Sequence, residues 1–173
     1  MCLVPALVLL VIYGYFGWAL IVFVIAGVTD ALDGVFARMR HESTQLGRML
    51  DPIADKLLVV SSLVILSIPT LPLTVRMPVW VTILAISRDA GILITVVVIN
   101  LAVGRKVFAP TVLGKATTTV QLLTILWVFW GNYRGSALPW THVLLGIMVA
   151  LTIASGLHYI HHARQLMGEA EAG

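Results

Sequence analysis

Four of the chain's five aspartates fall within residues 30–55. The stretch reads Asp30-Ala-Leu-Asp33-Gly34-Val-Phe-Ala37-Arg38, then eight residues, then Gly47-Arg-Met-Leu-Asp51-Pro-Ile-Ala-Asp55. Carboxylates are expensive near a bilayer, so a cluster of them in an apolar chain points to a functional site. Asp30 and Asp33 are three apart, and Asp51 and Asp55 are four apart. On helices, both spacings place a pair on one face, about one turn apart. Four converging carboxylates repel one another unless a cation sits between them. Hard oxygen donors with open positions suit Mg²⁺, Mn²⁺ or Ca²⁺. One ion is one arrangement; two ions, about 3.5–4 Å apart, would clamp an in-line displacement at phosphorus. The chemistry expected is metal-assisted phosphoryl transfer at the membrane surface.

The residues between the acids fit that reading. Gly34, Ala37 and Gly47 carry little or no side chain, which lets a bulky phosphorylated ligand approach the backbone. A helical Gly costs about 1 kcal/mol against Ala, so Gly34 needs a packing or approach reason. Arg38 stands one turn beyond Gly34, where it can pair with a phosphate. Solvated helix ends and ion pairs are the plain alternative for the aspartates, but they explain neither the small residues nor the double spacing. For Arg38, a simple membrane anchor competes with the phosphate role.

The helices that must position these groups follow from composition. The chain has 173 residues, 60% of them hydrophobic and 11% charged. An ordinary soluble domain is about 45–50% apolar and about 25% charged. We therefore expect an all-α polytopic membrane protein, one domain over 1–163 with a flexible cytoplasmic tail at 164–173. A spanning helix needs about 20 mostly apolar residues. Six spans are expected: 3–13, 18–40, 46–68, 79–103, 113–130 and 139–160. The first is short and reads as the back half of a truncated helix. Pro52 is expected in the opening turns of the third, where a missing N–H is best tolerated. The single Cys2 rules out an internal disulfide and a cysteine metal cluster. No cleavable signal is expected, because no basic segment precedes the first apolar run.

Charge sets the expected orientation. With six spans, one side receives Arg38, Arg40, Arg48, Lys56, Arg105, Lys106, Lys115 and Arg164, and the other only Arg76 and Arg134. The positive-inside rule puts the aspartate stretch at the cytoplasmic face. Trp18, Trp80, Trp130 and Trp140 fall near span ends on the opposite side, as an aromatic belt would. The net charge of +3 is spread over loops, so no nucleic-acid partner is expected.

The pattern D-x2-D-G-x2-A-R-x8-G-x3-D-x3-D resembles the signature of the CDP-alcohol phosphotransferase (CDP-alcohol phosphatidyltransferase) class I family, with all eight fixed positions present. The resemblance covers nearly the whole chain. It implies an integral membrane enzyme of phospholipid biosynthesis that displaces CMP from a CDP-linked lipid with an alcohol, using Mg²⁺ or Mn²⁺. Carried over by position, Asp30, Asp33 and Asp51 would be metal ligands, and Asp55 would share the second metal and act as general base. Asp30, Gly34, Ala37, Arg38 and Gly47 would line the cytidine diphosphate pocket. The implied partners are CDP-diacylglycerol, an alcohol acceptor, the lipid bilayer and a second copy of the chain in a homodimer. The implied location is the cell inner membrane, multi-pass. Family members usually begin with a cytoplasmic amphipathic segment and a complete first span, which this chain does not show.

Two acceptors are in view. Glycerol 3-phosphate is the first choice; the stretches Ser87-Arg-Asp89 and Pro110-Thr-Val-Leu-Gly-Lys115 are also similar to cardiolipin synthases of the same family, which use phosphatidylglycerol. Arg88, Arg105 and Lys115 are the candidates for holding the acceptor. Arg88-Asp89 reads equally well as a structural ion pair inside the bundle. His161 and His162 are adjacent and do not share a helix face, which argues against a metal site there. A cation-coupled transporter is the alternative of another class. Its acids would be spread at midplane over several helices, whereas here they gather at one end of two neighbours.

Overall fold

The computed structural model describes the backbone of residues 3–40, 45–103 and 112–171, and the side chains of 3–29, 56–95 and 112–159. Among these residues there are six helices and no strand: α1 (Leu3–Ile12), α2 (Phe16–Arg40), α3 (Gln45–Ser67), α4 (Val79–Val103), α5 (Val112–Arg134) and α6 (Thr141–Glu171). The expected α4 is matched end to end, and α2 and α3 to within two residues. Three boundaries differ. α3 starts at Gln45, one residue before the expected start, so Pro52 is its eighth residue and the carbonyl four residues back lacks its helical donor. α5 runs on to Arg134 through residues expected as a loop, and α6 continues as helix to Glu171 through the stretch expected as a flexible tail.

Two of the helices are apolar and long enough to cross a membrane over their described residues: Val112–Arg134 and Thr141–Tyr159. Leu3–Ile12, Phe16–Thr29 and Lys56–Ser67 are shorter apolar stretches.

The chain divides into two compact units. The first holds α1, α2, α3 and the second half of α5. Its core is built from residues one helical turn apart: Leu7 and Val11 on α1, Ala19, Phe23 and Ala26 on α2, Leu63 and Leu66 on α3, and Ile125, Val128 and Phe129 on α5, all buried. The Phe23 and Phe129 rings lie 5.4 Å apart and tilted by 46°, a favourable offset for aromatic pairs. α1 packs on both α2 and α3, and α2 on α3.

The helix ends of this unit show why it folds as it does. Gly14 closes α1 in the left-handed region (φ 77°), with Tyr15 N–H donating to Leu10 O and Gly14 N–H to Val11 O. Gly135 closes α5 the same way (φ 64°), with Ser136 N–H donating to Gly131 O and Gly135 N–H to Asn132 O. Both are Schellman caps, which only a residue tolerant of positive φ can make cheaply. Asn132 then ties the loop after α3 to α5. Its Oδ1 accepts from Thr74 N–H (2.8 Å) and Val75 N–H (3.1 Å), and its Nδ2 donates to Val75 O (2.8 Å) and Val128 O (2.9 Å). Gly131 lets that loop come close: a Cβ there would stand 2.9 Å from Val75 Cγ2.

The second unit holds α4, the first half of α5 and α6. Two of its buried hydroxyls are met inside their own helices, as expected where water is scarce. Thr152 Oγ1 donates to Met148 O at 2.7 Å, and Thr117 Oγ1 to Leu113 O at 2.7 Å. Thr117 also reaches Leu151 O on α6 at 3.3 Å.

Candidate functional site

The motif residues divide between two packed helices. Asp30, Asp33, Gly34, Ala37 and Arg38 lie in the second half of α2, and Gly47, Asp51 and Asp55 in the first half of α3. The two helices pack on each other and are joined through residues 41–44, so both halves of the motif belong to the connected end of one helical hairpin. The backbone is helical at all four aspartates, which gives Asp30/Asp33 and Asp51/Asp55 the one-turn separations that the spacing called for. The side chains of residues 30–55 lie outside the described residues. Among the described residues, no three His, Cys, Asp or Glu side chains come together. A donor set of four carboxylates on two neighbouring helices suits a hard divalent cation, which prefers oxygen and keeps positions open for phosphate.

Family comparison bears directly on this motif. The family model for CDP-alcohol phosphatidyltransferases matches residues 1–154. The chain belongs to that family. It is 35% identical over 141 residues to a CDP-diacylglycerol–glycerol-3-phosphate 3-phosphatidyltransferase of Bacillus subtilis, covering 80% of this chain and 69% of the relative. The Salmonella typhimurium protein of the same name is 33% identical over 174 residues, covering 94% and 88%. A cardiolipin synthase (CMP-forming) of Streptomyces coelicolor is 38% identical over 105 residues, covering 59% and 45%. CDP-alcohol phosphatidyltransferases are membrane-bound and generally metal-dependent transferases, and this chain is a phosphatidyltransferase of phospholipid biosynthesis.

Of the three acceptor candidates, the second unit places two. Arg105 lies outside the described residues. Lys115 is exposed on the first turn of α5. Arg88 is nearly enclosed, its side chain 6% exposed. Its Nη1 donates to Asp89 Oδ1 at 2.7 Å, and its Nη2 donates to Ser155 Oγ on α6. The ion pair read from the sequence is therefore present, and it is anchored to a second helix. Gly156 packs beside it: a Cβ there would lie in ordinary contact, 3.8 Å from Arg88 Cγ. Beside the pair opens a cavity of about 350 Å³ between α4 and α6, lined mainly by aliphatic side chains with Ser87, Arg88, Thr152 and Tyr159. Lys115 is not among its lining residues.

Ser155, Tyr159 and Asn132 carry no motif and were not singled out from the sequence as site or tether residues. Single polar residues in an apolar helix were the available signal. Gln121 is another: it is 1% exposed, and neither its amide oxygen nor its amide nitrogen has a hydrogen-bond partner.

Proposed function

We propose that the chain transfers the phosphatidyl group from CDP-diacylglycerol to glycerol 3-phosphate, releasing CMP, at the cytoplasmic face of a six-helix transmembrane bundle. The observation that carries this reading is the complete eight-position motif on the connected ends of two packed helices, α2 and α3. The relatives named for glycerol 3-phosphate, matched along most of the chain, support the acceptor. The excess of Lys and Arg in the loops on the motif's side supports the orientation.

Asp30, Asp33 and Asp51, with Asp55 sharing a second position, would hold Mg²⁺ or Mn²⁺, and the bound cation would neutralise the pyrophosphate. Asp55 takes the proton of the acceptor hydroxyl. That oxygen bonds to the phosphorus carrying diacylglycerol, and the P–O bond to CMP breaks with its electron pair leaving on CMP. Asp30, Gly34, Ala37, Arg38 and Gly47 line the cytidine diphosphate, the small residues admitting it and Arg38 pairing with its phosphate. Arg105 and Lys115 hold the acceptor's phosphate. Arg88 suits a phosphate less well, because Asp89 already answers its charge.

The deciding experiment follows CMP release by purified protein given CDP-diacylglycerol, Mg²⁺ or Mn²⁺, and a panel of acceptors. Release with glycerol 3-phosphate, abolished by chelator and restored by either ion, is expected. Release with phosphatidylglycerol alone would favour the cardiolipin synthase reading that the Streptomyces relative suggests. No release with any acceptor would overturn the reaction.

A further inference from the structure

Two buried polar groups on the lining of the α4–α6 cavity are left unanswered among the described residues. The Arg88 Nε and the Tyr159 hydroxyl are buried and have no hydrogen-bond partner among the described residues. Both residues line the α4–α6 cavity of about 350 Å³, which is in the size range of small-ligand sites. An unmet buried donor is costly, and in a membrane span no bulk water is at hand to meet it. The remaining walls are aliphatic, with Leu84, Ile92, Ile153 and Leu157 prominent. Gly91 on its lining faces open space: a Cβ there would meet nothing within 4 Å.

Charge decides what kind of ligand fits. The Arg88 guanidinium is compensated by the Asp89 carboxylate at 2.7 Å, and its other end is held by Ser155. Its Nε is the one guanidinium nitrogen left without a partner among the described residues, and the Arg88–Asp89 pair is neutral as a unit. A phosphate entering here would meet the Asp89 carboxylate at short range in a poorly screened setting. A neutral oxygen meets no such penalty and accepts from both donors. We propose that this cavity binds the glycerol-ester region of a bilayer phospholipid. An ester carbonyl oxygen accepts from the Arg88 Nε–H and the Tyr159 hydroxyl, and the acyl chain lies along the aliphatic walls. The headgroup is not read. This rests on α4 and α6 being membrane spans, but not on the aspartate chemistry or on the choice of acceptor.

The test is lipid retention by the delipidated full-length chain, read by native mass spectrometry with added lipids of matched chain length. Diester phosphatidylethanolamine and diester phosphatidylglycerol are expected to bind alike. Diether phosphatidylethanolamine, which lacks the carbonyl, is expected to bind about three- to tenfold more weakly. Tyr159→Phe should bring the diester lipid down toward the diether level. Gly91→Leu, which fills the cavity, should remove the ester preference while circular dichroism reports an intact helical fold. Equal retention of diester and diether lipids would overturn the proposal, as would a strong preference for phosphatidylglycerol or an unchanged Tyr159→Phe. Displacement of the diester lipid by CDP-diacylglycerol would assign the site to the donor instead and overturn bulk-lipid occupancy. CMP release, followed on the same samples, separates the two readings: lipid retention without turnover keeps this site and loses the reaction, and turnover without ester preference does the reverse.

Discussion

Asn132 in the first unit and Arg88 in the second are both enclosed polar side chains among apolar helices, yet their accounts close differently. The Asn132 amide makes four hydrogen bonds, two accepted and two donated, which is its full capacity. Arg88 spends two of its nitrogens on Asp89 and Ser155 and leaves Nε without a partner, with an unpartnered Tyr159 hydroxyl on the same cavity. A saturated cluster is a tether and has nothing left to offer a ligand. A cluster that is part saturated beside a cavity is held in place and still has a donor to give. The aspartate stretch of α2 and α3 extends the same comparison: four like charges on one helical hairpin make sense only with something added.

The largest effect should come from that stretch. Asp55→Asn is expected to lower CMP release by about 10²–10⁴-fold, the usual worth of a general base. Metal-dependent binding of CDP-diacylglycerol should survive, measured by equilibrium binding on the same protein. Equal loss of binding and turnover would show that Asp55 acts as a ligand and not only as a base.

Next is the Arg88–Asp89 pair. Arg88→Met removes the guanidinium that pairs with Asp89 at 2.7 Å, and removing one partner of a buried pair costs about 3–5 kcal/mol. The thermal midpoint in detergent should fall markedly. The double change Arg88→Met with Asp89→Leu should recover most of the loss, because it removes the stranded charge as well. If the single variant were as stable as the parent, the pair would not be the structural element its geometry indicates.

Asn132→Ala comes third. It strands the Thr74 and Val75 N–H groups and the Val75 carbonyl, and should destabilise the first unit by about 2–3 kcal/mol. Asn132→Asp keeps the two accepted bonds and loses the two donated ones, so it should fall between. Neither change touches the motif, so specific activity of the folded fraction should hold. A variant that lost turnover without losing stability would break the contrast between tether and site.

These expectations show where the sequence was informative. The helices, the aspartate spacing and the Arg88–Asp89 pair were legible because each is a local contrast: charge against oil, or acid beside base. The four-residue extension of α5 was not. Trp-Gly-Asn-Tyr-Arg-Gly-Ser reads as a loop by composition, and only the left-handed Gly135 cap and the Asn132 clamp on residues 74 and 75 show that the helix continues. Those partners lie 57 and 58 positions away in sequence, beyond any periodicity argument. Ser155 and Tyr159 were equally silent, being single polar residues whose meaning depends on Arg88, more than 60 positions earlier.

The smallest effect is also the sharpest test of the comparison. Tyr159→Phe deletes one hydroxyl that has no partner among the described residues. A buried hydroxyl that donated to the protein would cost about 1 kcal/mol to remove. An unanswered one costs nothing, and its loss relieves a desolvation penalty instead. The delipidated variant should therefore be as stable as the parent, or more stable by up to about 1 kcal/mol, by thermal unfolding in detergent. With diester phospholipid added back, the sign should reverse, because the parent gains a ligand contact that the variant cannot make. Stability that changes sign with lipid belongs to a binding group; a loss that persists without lipid would return Tyr159 to the class of Asn132.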